Sequence, residues 1–195
     1  MKKKSFGPQT LVFPTPVWLL GTYGEDGKPN LMTIAWGGVC CSKPPCLAVS
    51  IRKATHTFAG LMARRAFTVN VPSADFAAEA DYCGMVSGRN TDKFAGAHLT
   101  HVRSGLVDAP YVEQFPMVVE CAVTHVLELG LHTLFVGEIK DVKVDEEALD
   151  ENGVPLPEKV RPLAYAPEAR TYHSLGPSLG AAFSLGKPLM VKEEE

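Results

Sequence analysis

Two neighbouring runs in the middle of the chain alternate between apolar and polar residues with a period of two. Phe115 to Leu127 reads FPMVVECAVTHVL, and Leu131 to Val144 reads LHTLFVGEIKDVKV. That period sends successive side chains to opposite faces of a strand and does not suit a helix. Glu128-Leu129-Gly130 between them is short enough only for a tight reversal, and a tight reversal joins antiparallel neighbours. Whatever else the chain builds must therefore be organised around an antiparallel sheet.

More strands surround this pair. Val17 to Tyr23 and Asn30 to Trp36 flank a turn, Gly24 to Pro29, centred on Asp26-Gly27, which is a strong hairpin signal. Gly37 and Gly38 permit a bulge or a close backbone approach, and Val39 to Cys41 continues the edge. Ser42 to Pro45 turns the chain into a strand from Cys46 to Ile51. A helix-like segment, Phe58 to Arg65, precedes a strand from Ala66 to Val71. Ser73 is placed to cap a helix from Ala74 to Cys83, with Phe76, Ala77 and Ala80 inward and Gly84 as its stop. Gly88 to Ala95 is a polar loop with a helical turn near Thr91 to Phe94. Leu99 to His101 predicts a short strand, Ser104 to Tyr111 a loop, and Asp145 to Glu158 a polar excursion. The last forty or so residues show no clean helix. Short strands, glycine turns and few helices predict a mainly β fold, an antiparallel barrel with helical insertions. A doubly wound βαβ fold needs more long helices between strands. One domain is expected over 1–195, with an N-terminal arm at 1–15 and a tail at 177–195 that wraps a partner subunit or the barrel rim.

Composition narrows the function. With 46% hydrophobic and 21% charged residues, the 195-residue chain is an ordinary globular one. No apolar run approaches the roughly eighteen residues of a membrane span, and MKKK is not followed by a signal-peptide core. The expected location is cytoplasmic, with no membrane association. A net charge of -3 and 8% aromatic residues argue against a nucleic-acid surface. The five cysteines include no CxxC pair, which disfavours iron–sulfur and thioredoxin-like readings. Most are expected to be buried thiols. Cys40 and Cys41, being adjacent, are expected on opposite sides of a strand. There is no HExxH or paired His/Cys spacing for a metal and no GxSxG nucleophile, and no catalytic residue is assigned.

The sharper cluster is Arg52, Thr55, His56 and Thr57, between a strand end and a helix start. Free N–H groups, hydroxyls and a guanidinium in one turn make a plausible phosphate seat. Equally, these residues describe a capped helix start beside a surface arginine. Trp36, before two glycines, could lie against a flat ligand or anchor the core. Asn30 closes a turn, Lys93 sits in the polar loop, and His132 opens a strand, where it could be a core histidine.

The segments PVWLLGTYGEDGKPNLMTIAW (Pro16 to Trp36), PPCLAVSIRKATHTF (Pro44 to Phe58), FTVNVP (Phe67 to Pro72) and GRNTDKF (Gly88 to Phe94) together resemble the flavin reductase-like, FMN-binding split-barrel family, in particular its flavoredoxin-like branch. The resemblance implies an FMN-binding split barrel and a homodimer with FMN near its interface. It implies Asn30, Thr33 and Trp36 on the isoalloxazine side. Arg52, Thr55, His56 and Thr57 match the phosphate turn, and Lys93 matches the lysine of the family loop. His132 and Tyr165 resemble positions that approach the flavin, from the same or the other subunit. Cys40 and Cys41 fall on a strand beside the flavin, through main-chain contacts, and Ser50 joins the cofactor-binding set. The implied function is electron transfer through bound FMN, as a flavoredoxin-like carrier or an NAD(P)H-dependent flavin reductase, with NAD(P)H or a redox protein as partner. A non-enzymatic FMN-binding or redox-sensing module is the alternative.

Overall fold

The computed structural model describes residues 1–190; the terminal charged run from Lys192 to Glu195 lies outside the described residues. Residues 1–14 are almost wholly exposed. The strands and helices in chain order are β1 (Thr15–Pro16), β2 (Trp18–Tyr23), β3 (Pro29–Ile34), β4 (Gly37–Ser42), β5 (Pro45–Arg52), α1 (His56–Arg64), β6 (Ala66–Val71), α2 (Ala77–Met85) and α3 (Lys93–Gly96). There follow β7 (His101–Arg103), β8 (Pro110–Val112), β9 (Met117–Leu129), β10 (His132–Val144), α4 (Pro157–Val160), β11 (Leu163–Ala166) and β12 (Thr171–Ser174).

Seven strands bond in the order β3-β2-β6-β9-β10-β5-β4. The two outermost, β3 and β4, are consecutive in the chain, with only Ala35 and Trp36 between them. One bent run therefore serves both edges: its first half pairs with β2 and its second half with β5. At the bend the Ser50 N–H donates to the Trp36 carbonyl at 2.9 Å. The run thus curls the sheet into a barrel, although β3 and β4 form no ladder with each other. β9 and β10 run antiparallel from His132↔Leu129 to Val144↔Met117, turning at Gly130 (φ 73°), where a left-handed backbone favours glycine. Irregularities at Val136/Gly137 and Ile139/Asp141 bend this hairpin around the barrel.

The barrel interior holds Leu20, Val49, Ile51, Phe67, Val69, Cys121 and Phe135, all fully buried. Leu61 of α1 joins them, and Phe58 meets Phe135 edge-on with ring centroids 5.6 Å apart. A second core lies on the outer face, where Val17, Leu19 and Leu31 pack with Ala80 and Cys83 of α2, Phe94, Val112, Phe115 and Leu163. β6 is consequently buried at every position, including its two polar residues, Thr68 and Asn70. Its polar members are spoken for. The Thr68 hydroxyl donates to the Pro110 carbonyl at 2.6 Å, and the Asn70 amide donates to Leu19 O and accepts from the Val112 N–H, both at 2.8 Å. These bonds dock β8 on the sheet.

Several local expectations change. The Ser104 to Tyr111 loop yields to β8, which pairs with β7 and finds side-chain partners in Thr68 and Asn70. Ahead of the 177–195 tail the chain forms the β11–β12 hairpin, whose first strand pairs with β1. Ser73 makes no side-chain cap; a single 3-10 turn, Ala74–Phe76, precedes α2. Gly84 sits inside α2 and does not stop it: the helix runs on to Met85, and the glycine admits Thr33, whose Cβ would lie 3.3 Å from an added Cβ. α1 starts at His56, two residues before Phe58. Cys40 and Cys41 do not alternate simply: both are exposed, and β4 carries a register irregularity between Val39 and Cys41 that leaves Cys40 without a partner.

A Cβ added at Gly137 would stand 2.6 Å from Phe67 Cζ and 2.8 Å from Cys121 Cβ. Gly137→Ala should therefore lower the unfolding free energy by about 1–3 kcal/mol, the usual range for overpacking. Urea denaturation followed by tryptophan fluorescence measures this, and an unchanged midpoint would show that the interior has slack at this point.

Candidate functional site

The start of α1, the end of α2 and the loop from Gly88 to Asp92 enclose two adjoining hollows. The inner, about 260 Å³, is walled by Thr33, Thr55, Thr57, Gly84 and Lys93 among others. The outer, about 370 Å³, is walled by Asp26, Lys28, Asn30, Arg89 and Asp92 among others. His56 and Gly88 border both. Each is near the lower end of the size range of small-molecule sites.

α1 opens the inner hollow because β5 ends at Arg52 and the chain turns sharply. The Arg52 carbonyl accepts from the Thr55 N–H at 3.0 Å and the Thr55 hydroxyl at 2.9 Å. With its hydroxyl turned back, Thr55 does not cap the helix it precedes, and no acidic residue lies in the first turn. The first N–H groups of α1 thus keep their unpaired donors and a positive dipole end beside the hollow. Asn30, 5% exposed on β3, donates through Nδ2 to the buried Thr57 hydroxyl at 2.9 Å, tying strand to helix.

α2 supplies the opposite wall. Its Ala80 carbonyl accepts from the Thr33 hydroxyl at 2.5 Å, and its Cys83 carbonyl accepts from Lys93 Nζ at 2.6 Å. Lys93 is 5% exposed, and burial pulls its pKa below the ordinary lysine value. An ammonium has three N–H donors, and Cys83 O is its one hydrogen-bond partner among the described residues. Burial also pushes the Cys83 thiol up to about 11, with Lys93 opposing the shift, which keeps it a thiol near neutral pH. Asp92 accepts from the Ala95 N–H and fixes the start of α3. Arg89 clamps the loop to the α1 turn by donating to the Ala54 carbonyl at 2.9 Å. Gly88 is a close approach: an added Cβ would lie 2.1 Å from Asn30 Oδ1 and 2.8 Å from the His56 ring.

Asn30, Thr33, Thr55, His56, Thr57 and Lys93 thus converge on one place. The other sequence candidates sit elsewhere on this chain. Trp36, 36% exposed, lies at the bend between β3 and β4. Cys40 and Cys41 are exposed on β4. Ser50 is in β5 opposite Leu134. Arg52 is exposed at the end of β5, opposite His132 in the ladder. Tyr165 lies on β11, its ring 5.5 Å from that of Tyr172 and beside a separate hollow with Phe13 and Pro14. Sequence reasoning passed over Met32, Gly84, Ser87, Gly88 and Arg89 as walls of the hollows; the one available signal was the polar Ser87 to Asp92 stretch, in which a glycine and an arginine precede Lys93.

The donor set suits an anionic group: uncapped helix N–H groups, hydroxyls, and a buried cation with spare donors. Residues 10–176 match the flavin reductase like domain family, and the chain belongs to that family of FMN-binding split barrels. It is 50% identical to the flavoredoxin of Desulfovibrio vulgaris (Miyazaki F), covering 95% of this chain and 100% of that one with a TM-score of 0.91. The flavoredoxin of Methanosarcina acetivorans is 32% identical, covering 96% and 100% of the two chains with a TM-score of 0.87. An uncharacterised protein of Archaeoglobus fulgidus is 34% identical over 131 residues, 67% of this chain and 73% of that protein. Membership gives the chain an FMN-linked oxidoreductase or electron-transfer function. Among the described residues no helix is long and apolar enough to cross a membrane.

Lys93 also predicts a pH dependence. Its folded pKa lies below the ordinary 10.5. Below that folded value the folded state must hold a charge that burial disfavours. The penalty is released as pH rises through the folded pKa, and the gain is complete above 10.5. The stability of the unliganded wild type relative to Lys93→Met should therefore increase with pH across the alkaline range up to 10.5. Parallel denaturation curves over that range test it; a constant difference would mean that Lys93 is not desolvated.

Proposed function

We propose that the two hollows hold FMN and that the chain works as an electron carrier between redox partners. The observation that carries this reading is the uncapped start of α1 facing the buried Lys93 across one hollow. Thr55, His56, Thr57 and the α1 N–H groups would hold the phosphate, with Arg52 reaching in from the strand end. Lys93 would offset the ligand's negative charge with its unused donors, and Asn30 and Thr33 would shape the wall on the ring side. Bound FMN supplies one- and two-electron transfer; the protein's part is to seat the group, orient it and set its electrostatic surroundings. The 50% identity over nearly the whole chain to a flavoredoxin supports the carrier role over nicotinamide-dependent flavin reduction.

The reading includes a homodimer. Trp36, Cys40, Cys41, Ser50, His132 and Tyr165 do not wall the hollows of one chain, and in this proposal they approach the flavin across or beside the subunit contact, Cys40 and Cys41 through their main chain alone, with their thiols left on the surface. Exposed Val39, Leu127, Leu129 and Leu131 offer apolar surface for such a contact.

Freshly purified protein titrated with FMN under anaerobic conditions should take up close to one flavin per chain. The bound flavin should bleach with a chemical reductant and stay oxidised on adding NADH or NADPH. Fast bleaching by either nucleotide would replace the carrier with a nicotinamide-dependent reductase, and no uptake would remove FMN from these hollows. Arg52→Ala should weaken FMN binding by about 1.5–3 kcal/mol, the scale of a hydrogen bond to a charged group. Equilibrium dialysis reads this, and unchanged affinity in a folded variant would end the phosphate role of Arg52.

A further inference from the structure

Three of the five cysteines gather on one hairpin, away from the hollows. Cys40 and Cys41 are exposed on β4, and Cys46 is 7% exposed at the start of β5. Cys41 and Cys46 are partners in the antiparallel register, and Cys40 is the residue left without a partner by the irregularity between Val39 and Cys41. Directly paired residues in an antiparallel ladder have Cα atoms about 4.5–5.5 Å apart. That range falls inside the roughly 4.4–6.8 Å that a disulfide spans. The pairing is not a by-product of a shared core, since Cys41 is exposed and Cys46, though buried, belongs to neither hydrophobic core. Burial raises the Cys46 thiol, and Cys41 and Cys40 raise it further.

We propose that Cys41 and Cys46 form a reversible dithiol–disulfide site that exchanges with a small disulfide of the glutathione type. Cys41, the accessible partner, attacks as thiolate. Its sulfur bonds to one sulfur of the small disulfide, the disulfide bond breaks, and one thiolate leaves and takes up a proton. Cys46 then loses its proton to solvent and attacks the Cys41 sulfur, closing the cross-strand bond and releasing the second small thiol. Two protein thiols are oxidised, and one small disulfide is reduced to two thiols. The buried, high-pKa Cys46 is the slow second attacker, helped by being held opposite its target. The ring it closes staples β4 to β5 at the Ser42–Pro45 turn, and β5 is the strand that leads to Arg52. The site does not depend on the flavin reading.

The test uses the FMN-loaded full chain, equilibrated in oxidised glutathione, acid-quenched, unfolded and alkylated, with intact mass and non-reducing peptide mapping. Wild type should lose Cys41 and Cys46 from its five alkylatable thiols, the two mapped as a Cys41–Cys46 disulfide and restored by dithiothreitol. Cys40→Ser should form the same disulfide. Cys46→Ala should stop at a retained glutathione on Cys41, and Cys41→Ser, a surface change that does not threaten folding, should form no protein disulfide. A pair mapped to Cys40–Cys41, a persistent glutathione adduct on Cys41 of the wild type, or a protein disulfide still formed in Cys41→Ser would overturn the proposal.

Discussion

The bend at Ala35 and Trp36 is what the rest of the molecule depends on. A sheet with free edges exposes unpaired N–H and C=O groups along its whole border. Here a single run of chain forms both borders, and the Ser50–Trp36 hydrogen bond marks where it passes from one to the other. Closure gives β2 and β6 two covered faces, one toward the barrel interior and one toward the layer of α2, β8 and β11. The apolar content of these strands follows from that double burial. So does the need for Thr68 and Asn70, which take up backbone groups where β8 crosses the sheet.

The candidate site stands on the seam between the two layers. β3 contributes Asn30 and Thr33 from the barrel, and α2 contributes two carbonyls from the cover. α2 holds three unrelated parts at once: Thr33 through Ala80 O, Lys93 through Cys83 O, and the tail through Asp81, which accepts from the Tyr172 hydroxyl at 2.8 Å. Burial and Asp81 raise the Tyr172 pKa, so the phenol keeps the proton with which it donates. A buried lysine with a single neutral acceptor is costly, and it persists here as part of a hollow whose other walls are also donors.

Much of the barrel was legible because its signals are local. The period-two runs, the Asp26-Gly27 turn and the Gly130 turn each report on residues close in sequence. What escaped depends on distant partners. β8 and the β11–β12 hairpin are held in place by Thr68, Asn70 and β1, which lie far from them in sequence. Gly84 reads as a helix stop until Thr33 is seen to fill the space a side chain would take. At the site, the Thr55 to Thr57 turn and Lys93 were legible as chemistry, being hydroxyls at a helix start and a lysine in a polar loop. That Asn30 bonds Thr57 and that Lys93 lies under α2 are facts of tertiary packing. Arg89 and Gly88 act through the backbone they touch, which leaves no trace beyond a polar loop.

β1 and β11 meet near opposite ends of the folded chain, with the Thr15 hydroxyl donating to the Tyr165 carbonyl across 150 residues of sequence. A contact of such long range forms only after the intervening strands are in place, because closing so large a loop on its own is entropically unfavourable. It is also short, two residues of β1 against two of β11. The seam is thus a short clasp laid over a larger closed body. Since the same β11–β12 unit reaches α2 through Tyr172, one hydrogen-bonded layer runs from the N-terminal strand to the helix that carries Cys83 O, the acceptor for Lys93.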